Sequence, residues 1–410
     1  MKSRIDPTSA QKAEIVAYEK LFGVEAPFYI DRIEWNHESG EVHFYMDFER
    51  GAKFDCSSCG AEQCAVLSTT EKTWKTLPIH HYTCFIHLRT PYIKCSKGCC
   101  KSQIFRPHWE NGSSSFTIWF ENDVIGLVRS GLPVSTVAKR VGEHDSRIWR
   151  IVRRYVEAEY AKLDFSKVKR IAVDEICIAS KYKFVTIFTD IDTGRVLFIA
   201  DGKKGTTFWH FKRECKKQGL NPKNITDISM DMSAAFIKGA TTHFPNAEIT
   251  FDKFHVLALL NKAVNEIRKT QKEHKDCMYE LYKRSGNLTT KQAAKLKEIL
   301  AANSTIAQAY EFKETFYDIM NHNLTIEQIE PLIDQWIDDV WESCLEPLQS
   351  FVNTLLKHWY GVVQYFKSRI TNGIAESINS IIRTAQCIAC GIPNRTNFKS
   401  MVYLKRAFGV

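Results

Sequence analysis

The chain has 410 residues, 44% of them hydrophobic, and carries 56 Lys and Arg against 47 Asp and Glu, a formal net charge of +9. That length allows two or three domains with a sizeable core, and no apolar run approaches the roughly 20 residues that a membrane span needs. Without an apolar leader the protein is expected in the cytoplasm, where 13 cysteines are expected as metal ligands and buried thiols rather than a disulfide framework.

The charge is unevenly spread. Arg129–Arg154 holds seven Lys/Arg against two acids, Lys357–Val410 holds eight against one, and Thr325–Pro347 has seven acids and no Lys/Arg. Two basic blocks around an acidic one suit a polyanion binder with a solvated helical face, although either basic block alone is ordinary surface charge.

Residues 8–22 predict a short amphipathic helix, and residues 27–49 alternate as two strands about the turn Glu38-Ser39-Gly40. A cysteine cluster follows: Cys56-Ser-Ser-Cys59-Gly, a strand-like stretch, then Cys95-Ser-Lys-Gly-Cys99-Cys100. This is the spacing of a zinc ribbon, in which four thiolates hold one tetrahedral Zn²⁺; free buried thiols are the alternative. Cys56, Cys59 and Cys95 are the expected ligands, with Cys100 preferred to Cys99 as the fourth, although spacing alone does not separate adjacent cysteines. Cys64 and Cys84 have no partner at ligand spacing and read as core.

From Ser115 the pattern turns helical. Phe116–Arg129 predicts one helix closed by Gly131, Pro133–Val141 a second broken by Gly142, and His144–Glu159 a third carrying Arg147, Arg150, Arg153 and Arg154. Short helix, glycine turn and arginine-rich helix resemble a helix-turn-helix whose last helix enters the DNA major groove. A solvated arginine face on an ordinary three-helix unit is the competing reading.

Strands are expected at 169–174, 183–189 and 195–200, then a helix at 206–218, a strand at 225–231, a helix at 233–243 and a strand at 247–251. A three-strand meander followed by helix, strand, helix, strand is the ribonuclease-H-like, or retroviral-integrase-like, order. In that fold the first and fourth strands are neighbours, which brings together Asp174 and Asp231 at their ends. Asp252-Lys-Phe-His255 then opens about a hundred helical residues. Thr289 with Gln292 and Thr325 with Gln328 fit capping boxes, and Phe312, Phe316, Trp336 and Trp341 read as core aromatics. Beyond this block, Glu376 and Asn379 fall three apart on one helix face.

Two strand-end aspartates and a helical glutamate can hold two Mg²⁺ or Mn²⁺ ions about 4 Å apart, an arrangement suited to phosphodiester chemistry. Each acid singly also has a structural reading, as a helix cap or a solvated side chain. Their joint placement on this strand order is what selects them. Glu175 adjoins the site, but alternation turns it to the face opposite Asp174. Cys387 and Cys390 are spaced as a pair, yet with no second pair nearby they read as packing residues.

Several motifs occur in a fixed order: Val173-Asp174-Glu175, Asp231 within Ser-Met-Asp-Met-Ser, Phe244-Pro-Asn-Ala247 leading to Asp252-Lys-Phe-His255, and Asn372-Gly-Ile-Ala-Glu376-Ser-Ile-Asn379. Gly391-Ile-Pro-Asn394 and Asn397-Phe398 complete the set. Over nearly its whole length the chain resembles the bacterial DDE transposases of the insertion-sequence family called IS-L-three. The resemblance implies an α+β and α/β multidomain chain: a β-hairpin and zinc-finger domain at 1–112, a helix-turn-helix at 113–165, and a ribonuclease-H-like catalytic domain at 166–256 and 357–410 interrupted by an all-helical insertion at 257–356. It implies that Asp174, Asp231 and Glu376 are catalytic and bind Mg²⁺, that Asp252, His255 and Asn379 support them, and that the Zn²⁺ is structural. For His255 a satisfied core histidine is the alternative.

The same resemblance implies an enzyme that binds the terminal inverted repeats of its element and carries out metal-dependent DNA cleavage and strand transfer. Its partners would be double-stranded DNA and further copies of itself, as a homodimer or larger assembly on the bacterial nucleoid. Two other readings stand beside it. A catalytically inactive regulator derived from a transposase would keep the finger and the helix-turn-helix, but has no use for clustered carboxylates. A structure-selective nuclease on the same fold has no use for a dedicated DNA-reading module.

Overall fold

The computed structural model describes residues 9–112, 114–179, 183–271, 277–370, 373–388, 391–392 and 394–408. Two compact units emerge, Met1–Ile151 and Val152–Val410, and the boundary falls inside a helix.

In the N-terminal unit, α1 (Ser9–Phe22) precedes the antiparallel pair β1 (Phe28–Asn36) and β2 (Glu41–Phe48). β3 (Lys53–Phe54), the long β4 (Cys64–Ile79), β5 (Tyr82–Lys94) and β6 (Gln103–Ile104) complete a sheet of order β1-β2-β5-β4-β3, with β6 on β5. β2 alternates strictly: Val42, Phe44, Met46 and Phe48 are buried, while His43, Tyr45 and Asp47 are half-buried. The period of two puts every apolar side chain on one face. There Val42, Phe44 and Met46 pack with Phe22 of α1, Trp74, Ile86, Leu88 and Trp109.

Three helices follow: α2 (Ile118–Arg129), α3 (Val134–Arg140) and α4 (Asp145–Tyr160). Thr117 caps α2 by accepting from the Phe120 N–H. Gly131 (φ +106°) and Gly142 (φ +64°) turn the chain after α2 and α3 in the left-handed region that favours glycine. The turn before α4 is fastened to the sheet by Lys75 of β4. Its Nζ donates to the carbonyls of Val141 (2.8 Å) and Gly142 (3.2 Å) and pairs with Glu143 Oε1 at 2.9 Å.

In the C-terminal unit, β7 (Arg170–Ala179), β8 (Lys183–Asp190) and β9 (Val196–Asp201) form an antiparallel meander. α5 (Thr206–Cys215), β10 (Asp227–Met230), α6 (Ala234–His243) and β11 (Glu248–Phe251) follow, and the sheet has the order β11-β10-β7-β8-β9 with β7, β10 and β11 parallel. The first and fourth strands of the unit are therefore neighbours, as expected. The largest boundary difference is in β7, which does not end at Asp174 but runs on to Ala179, while α5 ends at Cys215 rather than 218 and β10 is Asp227–Met230 rather than 225–231. The hydrogen-bonding partner of β7 over that extension is β8 alone, because β10 stops at Met230.

The helical region comprises α7 (Lys253–Thr270), α8 (Met278–Tyr282), α9 (Thr290–Ala302), α10 (Ser304–Asn321), α11 (Ile326–Glu342), α12 (Glu346–Lys357), α13 (Trp359–Ser368), α14 (Gly373–Ile388) and α15 (Arg395–Arg406). Both expected capping boxes form, at Thr289 with Gln292 and at Thr325 with Gln328. Phe188, Phe211, Phe251, Leu260, Phe316 and Trp336 belong to one apolar core that joins the sheet to these helices. α13 approaches β11 so closely that a Cβ at Gly361 would stand 2.4 Å from the Phe251 ring.

Two side chains depart from expectation. Trp341 is 42% exposed rather than core: it follows Val340, the last residue of the buried stripe of α11, and one residue turns a helix by about 100°. Cys387 is exposed near the end of α14 and so does not pack; Cys390 and Asn372 lie outside the described residues. Among the described residues no helix is long and apolar enough to cross a membrane.

Candidate active site and metal centre

Strand register sets the acids. β7 and β10 pair Arg170 with Asp227, Ile171 with Ile228 and Ala172 with Ser229, so Asp174 and Asp231 each stand two residues beyond the last pair. β10 pairs Met230 with Phe251 of β11, which leaves Asp252 level with Asp231, its N–H donating to the Met230 carbonyl at 2.9 Å. Three aspartates thus share one level: Asp231 and Asp252 just past the carboxyl ends of β10 and β11, and Asp174 within β7 where its pairing with β10 has ended, on the side of the sheet at which parallel strands bind ligands.

α14 supplies the remaining groups. Asn379 Nδ2 donates to Asp174 Oδ2, while Asp174 Oδ1 accepts from the Glu175 N–H at 2.7 Å. Burial pushes the Asp174 carboxyl above its ordinary range, the two hydrogen bonds and His255 oppose the rise, and the charge of Asp231 adds to it. Glu376 is also raised, by burial and then by repulsion from Asp252 and Asp174, with His255 opposing. Glu175 is raised by burial against the pull of Lys203, and it feels Asp231 and Asp174 although alternation sets it on the other face.

The structural readings of two acids hold as well. Asp231 Oδ1 accepts from the Ser233 N–H at 3.0 Å at the entrance to α6, and Asp252, 1% exposed, caps α7 by accepting from the Phe254 N–H at 3.4 Å. His255 is 44% exposed, with Nε2 3.9 Å from Asp252 Oδ2, so it is not a buried core histidine. Lys203 was not anticipated. It follows β9, stands 4.3 Å over the Phe184 ring and acts on Glu175; the only sequence signal for it is a basic pair, Lys203-Lys204, just past a strand end.

The sulfurs are drawn together more tightly than the carboxylates. Those of Cys56, Cys59, Cys95 and Cys99 all lie within 4.8 Å of one another, and among the described residues no acidic group matches that closeness. Cys56 to Cys99 and Cys59 to Cys95 are each 3.5 Å. Zinc–sulfur bonds of about 2.3 Å in a tetrahedron need sulfurs about 3.8 Å apart, so the set is compatible with Zn²⁺. The fourth sulfur is that of Cys99 and not of Cys100. Gly98 (φ +71°) turns the chain so that Cys99 meets Cys56, and the next side chain, Cys100, packs against the apolar cluster of Phe48, Phe54 and Ile93. Desolvation works to raise the Cys95 thiol, but the N–H groups of Cys99 and Lys97 and the neighbouring thiols bring it down to about 6, while Cys59, Cys95 and Cys56 push the Cys99 thiol up, so in the metal-free set the proton rests with Cys99.

The arginines of α4 divide by environment. Arg147 donates to Glu143 Oε2 (2.6 Å) and Ser115 Oγ (2.7 Å) and lies 4.3 Å over the Phe116 ring. Its guanidinium therefore helps hold the helices together. Arg150 is exposed, and Arg153 and Arg154 are half-buried.

The chain's sequence is similar to those of known proteins. Residues 171–402 match a family model described as "Transposase", and residues 110–156 match one described as "Helix-turn-helix domain of transposase family ISL3". The transposase of insertion sequence element IS1001 from Bordetella parapertussis is 22% identical over 385 residues, covering 90% of this chain and 93% of that protein. The transposase of element IS1557 from two Mycobacterium tuberculosis strains is 22% identical over 357 residues, covering 78% of both chains. These matches place the molecule in the class of DNA-binding transposases. The chain belongs to the ISL3 family of transposases, whose model spans more than half of it.

Proposed function

We propose that this transposase binds the terminal inverted repeats of its own insertion sequence, cuts the DNA there and joins the freed end to target DNA. Asp174, Asp231 and Glu376 are assigned as the catalytic carboxylates and the ligands of two divalent ions. What carries the reading is the levelling of Asp174 with Asp231 by strand register, with α14 brought to them by the bond from Asn379 to Asp174. The strand order β11-β10-β7-β8-β9, with three parallel strands and an antiparallel meander, supports a ribonuclease-H-like catalytic domain. We assign it to 166–256 and 357–410, with 257–356 as its helical insertion, 113–165 as the helix-turn-helix and 1–112 as the zinc domain.

The donor set fits the metal. Hard carboxylate oxygens suit Mg²⁺ or Mn²⁺, and burial and mutual repulsion leave Asp174 and Glu376 raised even with His255 opposing, a deficit of positive charge that a divalent ion would fill. When bound, a pair of such ions activates the attacking oxygen and stabilises the leaving one. The chain's own part is to keep Asp174 ionised against burial, through the bonds from Asn379 and the Glu175 N–H, and to orient it through Asn379. Water attacks the phosphodiester at the element's end and frees a 3′-hydroxyl, which then attacks a target phosphodiester. Zn²⁺ on Cys56, Cys59, Cys95 and Cys99 is structural in this reading. Arg150, with Arg153 and Arg154, faces the DNA, with Arg147 setting the helix and the C-terminal basic block following the backbone. Two ends must be paired, so the working form is a homodimer or larger on DNA, in the cytoplasm.

The test compares wild type with Asp231→Asn on labelled DNA carrying the element's ends, with Mg²⁺ or EDTA. Cutting that requires Mg²⁺, and that the variant loses by at least about 10³-fold while it still binds the ends, is the expected result. If both proteins bind alike and neither cuts with any divalent metal, the chain is a regulator and not an enzyme.

A further inference from the structure

An open cleft of about 580 Å³ lies beside the cysteine cluster, with Arg50, Lys53, Arg89, Tyr29, Phe48 and Thr69 among its lining residues and no acid. Arg89 is stacked on Phe48 at 4.3 Å and paired with Asp47 at 2.5 Å. That clamp fixes its guanidinium against the apolar wall and spends the Asp47 charge. Arg50 and Lys53 are exposed, and among the described residues neither has an ion-pair partner. They flank Gly51, which is turned to φ +84° with open space where a Cβ would stand. A ligand can therefore reach the backbone between the two cations.

The lining is tied to the cysteine cluster. Lys53 lies on β3, which leads directly to Cys56, and pairs in the sheet with Ala65 of β4, just past Cys64, whose neighbour Val66 continues the lining. The Cys56 N–H donates to the Ala61 carbonyl at 2.8 Å, closing the loop between these strands. Cations with free charge on one rim, a stacked guanidinium behind them and an apolar wall suit one ligand chemistry: phosphate oxygens carried on an uncharged sugar.

We propose that this cleft grips the sugar–phosphate backbone of the DNA end, with Arg50 and Lys53 donating to phosphate oxygens. The inference rests on the reading of the chain as a DNA-binding transposase and says where its zinc-bearing domain takes hold. Such contacts fix register on the duplex without reading bases.

The experiment measures fluorescence anisotropy of the full-length protein on a duplex carrying the element's inverted repeat and on a scrambled duplex, across a range of NaCl. Wild type is compared with Arg50→Gln/Lys53→Gln, which keeps the polar stems, and with the swap Arg50→Lys/Lys53→Arg, which keeps the charge. The glutamine pair is expected to weaken binding equally on both duplexes and to lower the slope of log K against log salt by about 2, with zinc content unchanged, whereas the swap keeps the wild-type slope. A glutamine pair with wild-type slope and affinity would overturn the proposal, as would a swap that loses as much as the glutamine pair. In either case wild-type binding leaves the transposase reading standing. Wild type that binds neither duplex sinks both.

Discussion

Asn379 and Asp174 are joined by a hydrogen bond across 205 positions of sequence, one link by which α14 reaches β7, another running from Gln386 Nε2 to the Ile178 carbonyl at 3.5 Å. Because the Asn379 bond opposes the rise that burial imposes on Asp174, Asn379→Ala is expected to raise the carboxyl further. On the proposed assignment cleavage needs the carboxylate, so the acid limb of the pH–rate profile is expected to move to higher pH. A charge-assisted hydrogen bond is worth about 1.5–3 kcal/mol, which makes a loss of roughly 10-fold or more in cleavage at neutral pH. Single-turnover cutting from pH 5 to pH 9 checks this; a lower rate with an unmoved limb would mean that Asn379 acts in some way other than on Asp174.

The acids should weaken the metal-free fold. Asp174 and Glu376 stand above their ordinary values of 3.8 and 4.5, so the folded state holds these protons more firmly than the unfolded chain. Their contribution is full below about pH 4 and is lost as the pH rises through the elevated values. In EDTA, the melting temperature of Asp174→Asn relative to wild type is therefore expected to improve between pH 4 and pH 8, by roughly 2–4 °C. Mg²⁺ should raise the melting temperature of wild type more than that of the variant. Scanning calorimetry of both proteins, with and without the ion, decides the point.

Zinc content separates the two adjacent cysteines. Cys99→Ser is expected to lose bound zinc and to destabilise the N-terminal unit, since four thiolates make the closed site. Cys100→Ser should keep close to one zinc per chain and lose only about 1 kcal/mol of packing. Metal analysis of the purified variants, followed by melting, is sufficient; zinc retained by Cys99→Ser and lost by Cys100→Ser would reverse the assignment.

Lys75 carries more than a surface lysine usually does. With its side chain 11% exposed and that of Glu143 only 7%, Lys75→Met leaves two carbonyls without their donor and a nearly buried carboxylate with Arg147 alone. A cost of about 2–3 kcal/mol is expected, short of the full penalty for a broken buried pair because Arg147 remains. Hydrogen exchange should report loosened protection at the start of α4. An unchanged exchange pattern there would show that the turn holds without the lysine.

What could be read from the residues alone was whatever is local or periodic. The alternation of β2, the capping boxes at Thr289 and Thr325 and the glycine turns after α2 and α3 obey rules that operate within a few residues. Asp174 and Asp231 could be matched because strand order alone makes their strands neighbours. The choice of Cys99 over Cys100 depends on the left-handed turn at Gly98, which decides which of two adjacent side chains faces Cys56. The reach of β7 to Ala179 depends on β8, and the outward turn of Trp341 on which stripe of α11 the core selects. Lys75 finds its partners 66 to 68 positions away, and no spacing rule reaches that far.

The placement of Glu376 has a consequence for how the protein is made. Translation delivers the N-terminal unit first, and domains generally fold in that order; the glutamate arrives only in about the last tenth of the chain. A ribosome that drops off within α9 to α13 therefore releases a fragment holding the helix-turn-helix, Asp174 and Asp231, but without α14. If Glu376 is catalytic as proposed, such a product is expected to bind DNA without cutting it, so incomplete synthesis would act as a brake on the element's movement.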